Sequence, residues 1–589
     1  MRPARAPAAC SSDVACDWAC VTRRGVVGRE RRRWDGKAIG GPRRRSRHYN
    51  HLLSCLSARF NCTPLAVGTA LPTLPEALAL AQQALAAGDR AQAASIYQQI
   101  LAAVPGEGGA LHGLGLMACQ AGNFAEAENL LRQALASHPD DPALHNNLNL
   151  ALRQLGRPAE AIACCRRAIE LAPHLPQLHN NLGVALKETG AWAEAEQSFD
   201  RALALQPGYA DAHYNLANTL VEAGRLDEAE RSFRRAIELA PRDWQAHNNL
   251  GNLLKLWGRH GEALAQFDAA LGCNPQAAEA HRNRALLKLL LGDFAAGWPE
   301  YEWRKRLPGY GGTQYAQPEW QGEPLAGKTL RICAEQGLGD VIQMVRYAPL
   351  LAEYDARVHL ECPPTLHALL TGAPGIDKLV ARGDGEPFDA YVPMFSLPTI
   401  LGTTLETLPG GVPYLAAEEQ RAATWRPELA AEQALKIGIA WQGNRDFAGD
   451  AYRSVPLSEF EPLARVPGAK LFSLQKGPGS EQLPPLAQRL HIVDLAPRLD
   501  NDGHAFVDTA AVMRSLDLVV TSDTAIAHVA GALGVPVWLA LQYSPNWRWL
   551  LERADCPWYP TMRLFRQRHF GAWSDVFADI AAALASLDR

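Results

Sequence analysis

Apolar positions in the first half of the chain recur with a helical period, and the helices themselves recur with a longer one. Gly88, Gly122, Gly156, Gly190, Gly224, Gly258 and Gly292 stand 34 residues apart, and so do Pro105, Pro139, Pro173, Pro207, Pro241 and Pro275. Ala127, Ala161, Ala195, Ala229 and Ala263, each preceded by Glu, keep the same step, as do His145, His179, His213, His247 and His281. Each unit reads as helix, Gly turn, helix, Pro break. Six full units are expected over about 74–277, with a seventh merging into the aromatic run 294–303. A unit of this size buries its apolar face only on a neighbour, so the array is expected to be a right-handed α-solenoid with a concave groove. From Thr329 onward the pattern changes to short β-branched runs alternating with helical segments, the mark of an α/β fold. Strands are expected at 329–334, 357–361, 378–380, 389–392, 435–441, 470–475, 491–495, 516–521 and 535–541. Helices are expected at 340–353, 507–515, 525–533 and 574–587. The domain reading is a basic segment over 1–73, repeats over 74–306, one α/β subdomain over 315–425 and a second over 426–589 with a C-terminal helix.

The helical unit is similar to the tetratricopeptide repeat, and four positions sharing one period make that likeness specific. Its first helices present HNNL, HNNL, HYNL, HNNL and HRNR, which sets Asn147, Asn181, Asn215, Asn249 and Asn283 in a periodic row. An amide both donates and accepts, so the row reads as a ladder for the backbone of an extended protein or peptide acceptor. Repeat consensus alone also accounts for it, through local hydrogen bonds.

Composition narrows the function classes. Residues 1–70 carry 13 Arg and 1 Lys against 4 acids, a net of +10. The rest is then near −14, against a nucleic-acid-binding body. The basic segment is expected to be disordered or an overlong start. No apolar run reaches membrane-span length, so a cytoplasmic protein is expected, with peripheral membrane contact left open. Twelve cysteines are scattered, five of them within residues 1–62. Cys16, Cys20, His48, His51 and Cys55 lack the paired spacing of a zinc site, so no metal and no cofactor is expected.

Two stretches carry the chemistry. In the first, 516–541, Ser522, Asp523 and Thr524 lie between a buried strand and a small-residue helix. Bare N–H groups of a helix N-terminus at the carboxyl edge of a parallel sheet form a phosphate site. His528 lies one turn further on, open between a structural and a ligand-contacting role. In the second, Glu335–Asp340 (EQGLGD), two glycines turn the chain after a strand and Asp340 opens a helix. That residue is an N-cap, a general base, or both. The run from Gly322 to Thr329 satisfies a phosphate-loop pattern, but a strand is expected after it where such a loop needs a helix. Asp500 and Asp502 read as turn chemistry.

At these residues the C-terminal region resembles glycosyltransferase family 9, the bacterial ADP-heptose:lipopolysaccharide heptosyltransferases. The resemblance covers roughly 328–545 and implies a GT-B-like pair of Rossmann-like subdomains. Gly339–Asp340 matches the family's Gly-Asp, which implies Asp340 as base toward the acceptor hydroxyl. Asp523–His528 (DTAIAH) matches its donor-diphosphate segment, with Ala525 where the family has Gly. Arg453, three positions before Pro456, stands where a phosphate-contacting Lys is common. A bacterial group that fuses tetratricopeptide repeats to such a domain also shares EQGLGD, SLQKGP (Ser473–Pro478) and PNWRWL (Pro545–Leu550). The expected function is therefore an inverting, metal-independent glycosyltransferase using a nucleotide sugar. Asp340 serves as base; Arg453, Lys476, Ser522, Asp523, Thr524 and His528 lie at the donor diphosphate; Trp441, Gln442 and Asn444 lie at its sugar or base. Two alternatives stand beside it: a repeat scaffold whose transferase-like domain binds nucleotide without activity, and a protein O-GlcNAc transferase-like enzyme.

Overall fold

The computed structural model describes residues 73–447 and 449–587. The basic segment and its Cys/His cluster lie outside the described residues. Seven helix pairs run from Leu74–Ala86 to Phe294–Tyr301, the last helix short and continued by a 3-10 turn at Glu302–Arg306. The periodic residues account for the pairs. The seven glycines all have φ between 71° and 85°, a left-handed position that ends each first helix without a Cβ penalty. The five alanines are fully buried where the two helices of a pair cross. Each periodic histidine reaches back six residues to the proline carbonyl of the preceding break, from His145 on Pro139 at 2.8 Å to His281 on Pro275 at 3.1 Å. This satisfies a carbonyl that the broken helix leaves orphaned.

Volume is exchanged across two of the pairs. Gly183 faces the fully buried Phe199, and a Cβ on it would lie 2.6 Å from that ring; Gly251 faces Phe267 in the same way. Where the glycine is replaced by Ala217, Phe233 is still accommodated, and Asn149 stands in register with the smaller Cys165. Cys119 and Cys165 are buried packing residues, and Cys164 is half-buried.

The chain forms two compact units that divide inside the array, one ending at Asn215 and the other beginning at Leu216. The second unit holds the last repeats together with both sheets. The first sheet consists of β1 (Thr329–Cys333), β2 (Arg357–Glu361), β3 (Lys378–Val380) and β4 (Ala390–Pro393), in the order β3-β2-β1-β4 and all parallel. The second consists of β5 (Leu435–Ala440), β6 (Ala469–Ser473), β7 (Val493–Asp494), β8 (Leu518–Ser522), β9 (Val537–Leu541) and β10 (Met562–Arg566). Its order, β10-β9-β8-β5-β6-β7, is that of a doubly wound dinucleotide-binding sheet, again all parallel. Strand β10 is not expected from the sequence. Its Arg563 and Arg566 place one charge on each face of a five-residue strand and so interrupt the apolar run. The helix expected at 340–353 is α1 (Leu338–Met344) followed by 3-10 turns at Val345–Tyr354, because Pro349 removes a donor and crowds the preceding turn. After β8 comes α2 (Ala525–Ala532).

The aromatic run after the last repeat is a docking edge. Trp298 packs edge-on against Trp547 at 5.0 Å and against Phe294 at 5.8 Å, all three buried. Arg304, 4% exposed, forms an ion pair with Glu335 at 2.9 and 3.0 Å, and Glu335 also accepts from Tyr310 Oη and Phe395 N.

Replacing Gly183 by Leu should overpack the pair and lower the stability of its unit by about 1–3 kcal/mol. Adding Phe199→Ala should recover part of that loss. Urea denaturation of the single and double variants checks both, and additive losses would refute the volume exchange.

Candidate active site

Ligands of an open parallel sheet gather where strand order reverses, outside the carboxyl ends of the strands. In the second sheet that point lies between β5 and β8, whose carboxyl ends lead into 441–444 and 522–524. In the first it lies between β1 and β4, and β1 leads into EQGLGD. The two points meet through their helices. A Cβ on Gly339 would stand 3.0 Å from His528 Cδ2 and 3.2 Å from Ala525 Cα, so only glycine lets the first turns of α1 and α2 approach this closely.

Asp340 occupies the third position of α1. Its Oδ2 accepts from Gly337 N at 2.8 Å, and its Oδ1 is paired with Arg548. The carboxylate is 21% exposed. Burial pushes its pKa above the usual carboxylate range, and the charge of Asp523 adds to that; Arg548, the Gly337 N–H and Arg453 pull the other way. A base with a raised pKa binds a proton more firmly once it takes one. The N-cap and base readings are therefore compatible, since one oxygen caps the helix.

Ser522, Asp523 and Thr524 are buried at the carboxyl end of β8. Thr524 is the N-cap of α2, and its side chain makes no capping bond. Ser522 Oγ has no hydrogen-bond partner among the described residues. The turn thus keeps backbone N–H groups and a hydroxyl in reserve, as an anion site requires. His528 is buried, its Nδ1 2.9 Å from Tyr559 Oη and its ring stacked on Trp549 with centroids 5.5 Å apart. Burial, with Arg548, Arg346 and Arg453 nearby, holds its pKa well below the ordinary value, so the imidazole is neutral. One edge of the ring is structural, and the Cδ2 edge faces Gly339.

Arg453 donates through Nε to Asp450 at 3.1 Å and lies 4.6 Å over the Phe447 ring. Gly443 leaves it room, since a Cβ there would be 2.5 Å from Nη2. Gln442 joins the same network through Nε2 to Asp450 at 3.4 Å.

Three expected donor contacts sit elsewhere. Trp441 is fully buried in the core of the second sheet, and its Nε1 donates to Gly479 O at 3.1 Å. Lys476 holds the following loop, with Nζ on Leu499 O, on Asp500 O at 2.7 Å and on Asn501 Oδ1 at 3.0 Å. Asn444 closes a local turn by accepting from Asp446 N at 3.1 Å. These three side chains are bonded to neighbouring loop groups, whereas Asp340, Gln442, Arg453, Ser522, Asp523, Thr524 and His528 stand at or next to the strand ends and helix starts described above. Asp500 proves to be turn chemistry, accepting from Asp508 N and Thr509 Oγ1.

The periodic asparagines bridge neighbouring repeats. Asn147 bonds His112 at 2.7 Å, Asn181 donates to Asn146 at 2.7 Å and Asn215 to Asn180 at 3.0 Å. In the other unit Asn249 donates to Asn218 at 2.9 Å and Asn283 to Asn248 at 3.0 Å. The ladder spends hydrogen bonds on holding the array together.

Arg548, Gln343, Tyr559 and Asp450 are absent from the sequence-based site. Arg548 had a readable signal: an arginine between two tryptophans that pack inward is buried with them and needs an anionic partner.

Family models described as tetratricopeptide repeat match residues 78–142, 118–176, 174–242 and 214–278. One described as glycosyltransferase family 9 (heptosyltransferase) matches 469–541, which spans β6 to β9 and the Ser522–Thr524 turn. Protein FlbA of Caulobacter vibrioides is 26% identical over 336 residues, covering 51% of this chain; the match spans about half, 54%, of that relative's length. Among solved structures, a tetratricopeptide repeat protein from Parabacteroides merdae has a TM-score of 0.34 at 21% identity, covering 39% of this chain and 90% of that one. Pseudomonas aeruginosa PilF has a TM-score of 0.31 at 22% identity, covering 34% and 91%. The chain thus holds an array of tetratricopeptide repeats over 78–278 and, within its C-terminal α/β region, a segment over 469–541 that is similar to glycosyltransferase family 9.

Proposed function

We propose that the chain is an inverting, metal-independent glycosyltransferase that moves a sugar from a nucleoside-diphosphate donor to an acceptor hydroxyl selected by its repeats. The observation that carries this reading is the meeting of α1 and α2 through Gly339, which sets a carboxylate of raised pKa beside an uncapped helix N-terminus. The donor diphosphate lies at Ser522–Thr524, where backbone N–H groups and the Arg453 guanidinium balance its charge. Asp340 takes the proton of the acceptor hydroxyl. The acceptor oxygen then bonds to the anomeric carbon from the face opposite the diphosphate, the carbon–oxygen bond to phosphate breaks, and the nucleoside diphosphate leaves with that electron pair. One displacement inverts the anomeric centre, and the charge that develops on the leaving oxygen is what the second sheet's site is built to receive.

The repeats adjoin the turn that holds Asp340, which supports acceptor selection by the array. The first helix of the seventh pair, Ala278–Leu290, packs against the Trp547–Trp549 turn, which also carries the partner of Asp340. A protein or peptide acceptor suits a repeat array, since such repeats serve protein–protein contact.

The direct test is binding and turnover of ADP-heptose, UDP-GlcNAc and GDP-mannose by the full chain. Binding of at least one with release of its diphosphate supports the reading; binding without release in the presence of cell-extract acceptors favours a scaffold, and no binding defeats both. Asp340→Asn should keep donor affinity within about threefold and lower transfer by about 10²–10⁴-fold. In the wild type, transfer should fall as pH drops, because the base must be ionised. The acid limb should lie above the ordinary carboxylate range, since the pKa is raised in the folded state. Gly339→Ala should lower transfer by about 10–100-fold with the circular dichroism spectrum unchanged, because its Cβ parts the two helix N-termini; wild-type turnover in that variant would show that the close approach is dispensable.

A further inference from the structure

Asp340 is held by a residue that belongs to the other sheet. Arg548 lies in the Trp547–Trp549 turn, downstream of β9, and is 6% exposed. All three guanidinium nitrogens are engaged: Nε donates to Gln343 Oε1, Nη1 to Asn546 Oδ1 at 2.9 Å and Nη2 to Asp340 Oδ1. Trp547 lies under it at 4.5 Å and Phe395 at 5.8 Å. Gln343 and Asp340 are both on α1, one turn apart, so the planar fork grips one face of that helix from the second sheet. Gln343 is itself fully buried, which leaves Arg548 a single seat.

We propose that Arg548 is the positioning residue of Asp340: it orients the carboxylate, keeps it ionised, and makes its readiness depend on the two α/β halves being together. The inference rests on the reading of Asp340 as the base. It follows from geometry that Asp340 cannot supply by itself. With Oδ2 on the Gly337 N–H, the carboxylate has only Oδ1 to fix its plane, and Arg548 fixes it. The other charges that face Asp340 are Asp523 from the β8–α2 turn, which disfavours its ionised form, and Arg453, which favours it. His528 on α2 is neutral. Glu335 of the same connection is paired with Arg304. Arg548 is the one cation in hydrogen-bond contact with the carboxylate among the described residues. If the halves separate, Asp340 loses that cation and its orientation together, so the base is primed only in the closed arrangement.

The test uses the full chain labelled with ¹³C at aspartate carboxyl carbons, with Asp340→Asn assigning the resonance. In Arg548→Gln the Asp340 titration midpoint should rise by at least one pH unit. The acid limb of diphosphate release from whichever of ADP-heptose, UDP-GlcNAc or GDP-mannose the wild type turns over should rise by the same amount. The value of kcat should fall by at least tenfold at neutral pH with donor KM within threefold of wild type, a split that a general packing defect would not give. Arg548→Lys keeps the charge but cannot hold Gln343, Asn546 and Asp340 at once. It should leave the midpoint near wild type and still lower kcat. An unmoved midpoint in folded Arg548→Gln overturns the proposal. Should that variant not fold, Arg548→Lys with wild-type kcat overturns it. If the wild type releases no diphosphate, the base reading fails on its own account, and the titration still judges whether Arg548 sets the state of Asp340.

Discussion

Two helix N-termini, each bearing a partial positive charge, are brought within backbone contact at Gly339. Such ends repel one another unless negative charge stands between them. The protein supplies such charge with Asp340 and Asp523. The Cβ-free approach of Gly339 to Ala525 and His528 gives the two sheets a shared site. Each sheet brings the carboxyl end at which its strand order reverses.

The EQGLGD connection is fastened at both ends by ion pairs, one buried and one partly buried. Glu335 is tied to Arg304 at the end of the repeats, and Asp340 to Arg548 beyond β9. Each pair pays a desolvation penalty that its Coulomb attraction roughly offsets, so neither is a large net source of stability. What they contribute is position. Removing one member of such a pair leaves a buried charge unmatched, which costs about 3–5 kcal/mol, and that penalty is what fixes the turn between the array and the second sheet. The aromatic cluster of Phe294, Trp298 and Trp547 excludes water around the turn's neighbours and so strengthens both pairs.

Much of the fold was legible because its periods are local. A 34-residue recurrence of Gly, Pro, Ala and His predicts helix ends, breaks and crossings, and every one of those residues has a matching structural task. The strands of both sheets were readable as apolar runs, except β10, whose arginines interrupt the pattern. The candidate site was legible as position where backbone chemistry decides it: Asp340 stands at the start of a helix after a Gly turn, and Ser522–Thr524 stand between a strand and a small-residue helix. Side-chain partners were not legible where several lay within reach. Lys476 and Asn444 are typical phosphate and sugar ligands by type, yet loop carbonyls and a turn N–H lay nearer. Trp441 follows a strand end but is drawn into the core by its own area.

The sequence by itself determined which elements form, in what order, and which turns expose backbone N–H groups at strand ends. These follow from propensity, periodicity and steric rules that act over a few residues. The tertiary structure alone decided which of those turns face one another and which polar side chains are already satisfied. Arg548 shows the difference most clearly: 208 residues separate it from Asp340 along the chain, and nothing local to either names the other. Their pairing follows from the packing of α1 against α2, because a buried charge must find its partner wherever the fold places one.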